Sequence, residues 1–391
     1  MGERIRVGII FGGRSAEHEV SILSARNVLA ALDRTRFEPV LIGIDQDGRW
    51  LLQPEALLLE SARDPRMVRV HRSAPAVTME PRPNSALVPS QASSPSAPSP
   101  TAPPQPGGGA PFRLDVVFPV LHGPMGEDGT IQGLLELADV AYVGAGVLGS
   151  ALGMDKDVMK RLLRAAGVPV ADFRAIRKAD FARDPDRACA LAAELGFPLF
   201  TKPANLGSSV GVRKVSAPAE LAAALAHGFE FDLKVLAEEA IDGREIECSV
   251  LDGDPPIASV PGEVIVSQPD GFYSYQAKYI DEKGAALEIP ARLAPDQVAA
   301  VQRMALRAFT VLEGAGMARV DFFLRRGGGA LLVNELNTIP GFTAISMYPM
   351  LWEASGLGRV ELVSRLIDLA IERRRRLREL KTRYSFGPGG D

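Results

Sequence analysis

An apolar run at residues 5–11 (IRVGIIF) is closed by Gly12 and Gly13 and followed by a helix-like stretch through Leu32, before a second run at residues 39–44 (PVLIGI). Strand, glycine turn, helix and strand in that order are the grammar of a parallel sheet, whose ligands collect at the carboxyl ends of its strands. The pattern resumes at residues 115–121 (DVVFPVL) and 140–144 (VAYVG). From Asp155, the spacing of Val158, Met159, Leu162, Leu163 and Ala166 predicts an amphipathic helix, capped by Asp155 and stopped by Gly167 and Pro169. A second helix is predicted over 185–195, leading into short strands at FPLFTKP and VGVRKV. Further on, β-rich segments at 235–239, 245–251, 319–324 and 331–334 alternate with two helices. One has Val298, Val301, Ala305, Ala308 and Leu312 in register, the other Val363, Leu366, Ile367, Ala370 and Ile371. Arginines 373–376 read as the solvated end of that last helix, where cations suit the dipole. The expectation is an α/β protein without internal repeats.

Residues 81–111 break this pattern. They hold ten of the thirty prolines, end in a triple glycine before Ala110 and Pro111, and carry almost nothing that packs. Such a segment cannot bury enough apolar surface to offset its ordering entropy, so it reads as a disordered insertion inside the first domain. At 391 residues the chain is long enough for more than one core. A net charge of −4 argues against nucleic-acid binding through bulk charge. No apolar run approaches the roughly 18 residues of a membrane span. With only Cys189 and Cys248 there is no disulfide framework, and residues 5–11 are too short for a signal peptide. These features point to a cytoplasmic enzyme.

Three segments can carry chemistry. In TKPANLGSSVGV (201–212), Lys202 precedes Gly207, Ser208, Ser209 and Gly211. Consecutive small residues let backbone N–H groups converge on an anion, and the lysine adds a full charge. The spacing is not that of an ordinary P-loop, and a plain hairpin turn would need fewer such residues. In ARVDFFL and LLVNELN, a turn near Gly328 places Asp321 opposite Glu335, with Asn337 on the same face because strands alternate. Two carboxylates and an amide oxygen suit Mg²⁺, while Phe322, Leu324 and Leu336 point to the buried side. In GGRSAEHEVS (12–21), Glu17 sits at a helix start on the ligand edge of the sheet, a place equally suited to compensating the dipole. His122 in LHGPMGEDG lies at another strand end; a lone histidine is more often structural.

Together these stretches, with GMDK, FYSYQAKY and NELNTIPGFT in the same order, resemble the ATP-grasp superfamily and within it the D-alanine–D-alanine ligases. The resemblance runs from about residue 4 to 369 and implies a three-domain α/β architecture with an N-terminal Rossmann-like parallel sheet. It divides the chain into 1–153, 154–240, 241–375 and a tail from 376 to 391. It implies that Lys156 and Lys202 hold ATP phosphates, with Ser208 and Ser209 closing over them. Glu238 and Glu245 stand where adenine and ribose are contacted; Ala240 replaces an aromatic residue often found there. Asp321, Glu335 and Asn337 match ligands of two Mg²⁺ or Mn²⁺ ions.

For the substrates, the resemblance pairs Glu17 with the ammonium of the first D-alanine and places His122 near its carboxylate. Arg319 and the Gly341 N–H match an oxyanion-stabilising pair. Ser346 and the Met347 N–H match the receiver of the second D-alanine's carboxylate, near Lys278. Ser208 and Tyr279 match partners of Glu17 that latch a loop. The implied reaction makes D-alanyl-D-alanine for peptidoglycan through an acyl phosphate, in a homodimer. A D-alanine–D-lactate ligase is the nearest alternative, and Tyr279 speaks against it. A non-catalytic ATP-binding regulator is a second, and the presence of Arg319, Asp321, Glu335 and Asn337 speaks against that.

Overall fold

The computed structural model describes residues 3–60, 69–83, 86–90, 112–266, 285–327 and 329–381. Among the described residues, its α/β fold contains three sheets. The first is formed by β1 (Ile5–Gly12), β2 (Phe37–Ile44), β3 (Trp50–Leu52), β4 (Ala76–Met79), β5 (Leu87–Pro89), β6 (Val116–Val120) and β7 (Ala141–Tyr142). Their order across the sheet is β5-β4-β3-β2-β1-β6-β7. Only the β2-β1-β6-β7 half is parallel; β3, β4 and β5 extend it by antiparallel pairing. The expected parallel sheet is thus a mixed one. Alternation along β1 sends Val7, Ile9 and Phe11 into one core and Ile10 into another.

The antiparallel half corrects the reading of residues 81–111. Leu87–Pro89 is a strand paired with β4, and Leu87 is buried and bridges to Phe112. A strand of three residues is too short for period-two patterning to reveal among prolines, yet its one leucine fills the core. Residues 91–111 lie outside the described residues.

The second sheet contains β8 (Phe173–Arg177), β9 (Leu199–Pro203), β10 (Arg213–Val215) and β11 (Lys234–Glu239), all antiparallel in the order β10-β9-β11-β8. It closes its own core with Ala188, Ala192, Leu221 and Leu225 from the helices Pro185–Ala193 and Leu221–Gly228. The third contains β12 (Gly243–Leu251), β13 (Ile257–Ala258), β14 (Gly262–Val266), β15 (Ala285–Glu288), β16 (Met317–Arg325) and β17 (Leu331–Asn337). The helix Pro295–Val311 packs on it through Val301, Ala305 and Ala308, three of the positions expected from periodicity.

The last helix, Arg359–Arg378, does not keep to the third sheet. Leu362, Val363, Leu366, Ile367 and Ala370 share a core with β1 and β6, so cores and chain order do not coincide. Nor do its arginines merely face solvent. Arg373 stacks on the Tyr142 ring at 4.5 Å and donates to the carbonyls of Gly144 (2.5 Å) and Tyr142 (3.1 Å). Arg374 and Arg378 both pair with Asp139. The expected solvated helix end is in part a docking point on β7. Among the described residues, no helix is long and apolar enough to cross a membrane.

Candidate active site

A cavity of about 550 Å³ lies between the second and third sheets, lined among others by Lys156, Lys202, Ser208, Ser209, Glu238, Glu245 and Glu335. The helix Lys156–Ala165 delivers the first lysine. Asp155 caps it, accepting from the N–H groups of Asp157 and Val158 at 3.1 Å. Lys156 Nζ then donates to the Leu206 carbonyl at 2.7 Å and lies 3.3 Å from Glu335 Oε2. Lys202 leaves β9 and donates to Glu238 Oε1 at 2.7 Å and to Asn334 Oδ1 at 3.3 Å.

Over these lysines runs the loop from Gly207 to Gly211. Ser208 and Ser209 both take left-handed backbone angles, φ +49° and +60°. Such angles are unfavourable for a serine, and strain held at two adjacent residues is typical of ligand clamps. The loop does not end in the cavity. Ser208 donates its hydroxyl proton to Glu17 Oε1, joining the second sheet's loop to the carboxyl edge of the first. Glu17 is buried, and a Cβ on Gly123 or Gly207 would approach its Oε2 to 3.0 or 3.2 Å. Glu17 is the N-cap residue of the following helix but makes no side-chain cap hydrogen bond to it; its carboxylate is turned to Ser208.

Beyond Glu17 lies a chain of polar contacts that fixes residues 339–343. The Phe342 N–H donates to Ser24 Oγ, which lies 3.2 Å from His122 Nε2, while His122 Nδ1 lies 3.2 Å from the Ile339 carbonyl. A carbonyl only accepts, so the proton sits on Nδ1 and Nε2 accepts from Ser24. Burial pushes the His122 pKa down, outweighing the attraction of Glu17, which agrees with a neutral ring. The turn so anchored carries Gly341, where a Cβ would come within 2.8 Å of Ser346 Oγ. Ser346 Oγ accepts from the Thr343 N–H at 2.9 Å, and the helix Met347–Ala354 starts directly after it.

On β16 and β17 the pairing at the site is the expected one, Asp321 with Glu335 and Arg319 with Asn337, before the register shifts between Asp321 and Phe322; Phe322, Leu324 and Leu336 are buried behind them. Asp321 receives both Arg319 Nε and Nη2 at 2.7 Å and the Asn337 amide at 3.0 Å. Glu247 of β12, directly across from Asp321, lies 2.8 Å from Arg319 Nε. Burial alone would lower the Arg319 pKa, but Asp321 and Glu247 hold it well above its ordinary value. Among the described residues no group of three or more His, Cys, Asp or Glu converges on one point. Two carboxylates and an amide fit an ion that takes its remaining ligands from phosphate oxygens, as Mg²⁺ does.

Residue-pattern reasoning missed three side chains here. Glu247 faces the site because it alternates with Glu245 along β12, with an apolar neighbour on either side. Glu127 accepts from the Gly123 N–H at 2.7 Å; burial, then the nearby Glu17 charge, pushes its pKa up to about 8. It lies within LHGPMGEDG, where only His122 was singled out. Lys160 is fully buried, with Nζ 2.6 Å from Glu238 Oε2. Lys278 and Tyr279 lie outside the described residues.

Two family models match the chain: D-ala D-ala ligase N-terminus over residues 6–145 and D-ala D-ala ligase C-terminus over residues 162–368. The D-alanine–D-alanine ligase A of Bradyrhizobium diazoefficiens is 47% identical, over 98% of this chain and all of that protein. Its namesake from Escherichia coli K12 is 46% identical, over 97% and 99%. Among solved structures, a D-alanine–D-alanine ligase from Coxiella burnetii superposes with a TM-score of 0.78 at 36% identity, covering 97% of each chain. A D-Ala:D-Ser ligase from Enterococcus faecalis gives the same TM-score at 32% identity, covering 94% of this chain and all of its own.

Proposed function

The chain belongs to the D-alanine–D-alanine ligase family, a family of ATP-dependent ligases, and from that premise we propose how its own residues divide the work of joining two D-alanines. The observation that carries the assignment is the Ser208–Glu17 contact, which brings the phosphate-type loop against the carboxylate suited to a substrate ammonium. ATP and the amino-acid subsite thereby share one boundary.

Lys156 and Lys202 neutralise the nucleotide phosphates, and the strained Ser208–Ser209 backbone turns its N–H groups towards them. Glu238 and Glu245 contact adenine and ribose, with Ala240 leaving more room beside the base. Asp321, Glu335 and Asn337 hold two Mg²⁺ or Mn²⁺ ions, which supply charge neutralisation during phosphoryl transfer. Glu17 pairs with the ammonium of the first D-alanine, and His122, neutral, positions the turn beside that alanine's carboxylate.

A carboxylate is a poor electrophile. The first D-alanine's carboxylate oxygen therefore attacks the γ-phosphorus, giving an acyl phosphate and ADP. The second D-alanine, bound through Ser346 Oγ and the Met347 N–H, attacks the activated carbonyl with its free amine. Arg319 and the Gly341 N–H stabilise the oxyanion, phosphate leaves, and the amine proton passes to solvent or base. An acyl phosphate hydrolyses in water, so the loop carrying Ser208 has to exclude water.

The proposed setting is a three-domain ATP-grasp architecture acting as a cytoplasmic homodimer that supplies peptidoglycan precursor. The decisive assay follows phosphate release from ATP and Mg²⁺ with D-alanine, L-alanine or D-lactate, with product separation. D-alanyl-D-alanine is expected with D-alanine alone. Phosphate release without dipeptide, or equal turnover of L-alanine, would sink the assignment.

A further inference from the structure

Lys160 has no part in the roles given above, yet it is a fully buried charge against the wall of the nucleotide cavity. It sits one helical turn beyond Lys156 on the helix Lys156–Ala165, so both lysines leave the same face. Lys156 reaches the cavity, whereas Lys160 is enclosed and meets the Glu238 carboxylate at 2.6 Å through Oε2. The other oxygen, Oε1, accepts from Lys202 at 2.7 Å. Two cations thus share one buried anion, and only Lys202 also faces the cavity.

That arrangement has a consequence for binding. Once Lys202 also neutralises a phosphate, its one charge is shared between that anion and Glu238, and a buried carboxylate short of counter-charge is strongly unfavourable. Lys160 cannot leave, because its own ammonium is enclosed with Glu238. We propose that Lys160 is a positioning residue that keeps Glu238 fixed as a carboxylate, freeing Lys202 for the nucleotide phosphates and making the cleft select a base with an exocyclic amino group. The proposal rests on the assignment of Lys202 and Glu238 to the nucleotide.

The selectivity follows from donor and acceptor chemistry. The exocyclic amine of adenine donates to a carboxylate, whereas the keto oxygen guanine carries at that position is an acceptor and meets it unfavourably. A protonated Glu238 would lose the distinction, since its O–H could donate to the keto oxygen. Burial pushes the Glu238 pKa up, but Lys160 and Lys202 together hold it below its ordinary value. With Lys202 engaged elsewhere, Lys160 is the cation that remains.

The test measures ATP and GTP binding by isothermal titration with Mg²⁺ and no D-alanine, on the full chain and on K160M, K160R, K202M and K160M/E238Q. K160M is expected to weaken ATP binding about tenfold, because Lys202 is then held by an otherwise unpaired carboxylate. Its preference for ATP over GTP should fall severalfold. K160R should retain both properties. K160M/E238Q removes both buried charges; it should fold at least as well as K160M and show no preference, since an amide both donates and accepts. A purely structural role for Lys160 would lower thermal stability and leave base preference intact. Unchanged preference in folded K160M, or unchanged preference in the double variant where K160M does not fold, would overturn the proposal. Unchanged ATP affinity in K202M would instead remove the nucleotide assignment beneath it.

Discussion

Three of the cations in the proposed site are engaged with carboxylates of the same site. Lys156 lies 3.3 Å from Glu335, Lys202 is 2.7 Å from Glu238, and Arg319 bridges Asp321 at 2.7 Å and Glu247 at 2.8 Å. Under the proposed roles, Lys156 and Glu335 neutralise one another until the nucleotide and its metal replace both partners together. Glu127, to which no ligand is assigned, is held close to Glu17 with its pKa raised to about 8 from an ordinary 4.5, by burial first and by Glu17 second. A carboxyl whose pKa is raised on folding binds its proton more tightly in the folded state. Its contribution is fully present below pH 4.5 and is lost as the pH rises through about 8. Relative to Glu127→Gln, the substrate-free parent should accordingly lose thermal stability progressively between those limits. Melting temperatures of the two proteins across pH 5 to 9 check this, and parallel curves would show that Glu127 is ionised throughout. This group was not visible to motif reasoning, because a raised carboxyl is a property of its surroundings and not of its neighbours in sequence.

The helix Lys156–Ala165 shows where patterning fails on the scale of an element. Its limits were legible: Asp155 caps it, and the turn at Gly167 ends it, with φ +71° that favours glycine. Its buried face was not. Periodicity assigned Val158, Met159, Leu162, Leu163 and Ala166 to one stripe, but the buried positions are Lys156, Asp157, Met159, Lys160 and Leu163. A hydrophobic stripe cannot register lysines that are buried because carboxylates and carbonyls await them, so it was drawn rotated towards Leu162, which is 37% exposed. By contrast, the buried face of Pro295–Val311 is apolar throughout, and there Val301, Ala305 and Ala308 were placed correctly. The two leucine-sized positions now separate cleanly. Met159→Ala should cost about 2–5 kcal/mol, as expected for a core truncation, whereas Leu162→Gln should change stability by no more than about 0.5 kcal/mol. Urea denaturation of both variants decides it, and a Leu162→Gln loss as large as that of Met159→Ala would restore the original stripe.

For the whole molecule, the proline-rich stretch sets the limits of what can be removed. Its composition suggested that residues 81–111 could be excised together, since proline and glycine dominate and little else could enter a core. Leu87 defeats that reading. It is 1% exposed, sits in the core shared by Ile42, Val77 and Leu114, and exchanges backbone hydrogen bonds with Phe112 at 2.9 and 3.2 Å. Ser90 extends the pairing by donating its N–H to the Ala76 carbonyl at 2.9 Å. The chain therefore leaves the described residues at Ser90 and re-enters at Phe112 with both ends already anchored beside β4. Replacing residues 91–111 with a short Gly/Ser linker asks nothing new of either end, because closing a shorter loop costs less entropy than closing a longer one. That variant should keep turnover within about threefold and its melting temperature within a few degrees. Excising 81–111 strips β4 of its edge partner and leaves a cavity where Leu87 lay, a loss of about 2–5 kcal/mol from the leucine alone. The cavity proposed for the nucleotide lies between the second and third sheets, and β5 is the outermost strand of the first, separated from β1 and β6 by β4, β3 and β2, so the larger excision should lower stability far more than the turnover of whatever remains folded. Thermal melts and steady-state assays of both variants separate these outcomes. Equal stability for the two would show that β5 adds nothing to the sheet, and a collapse of the shorter excision would show that residues 91–111 hold part of the fold.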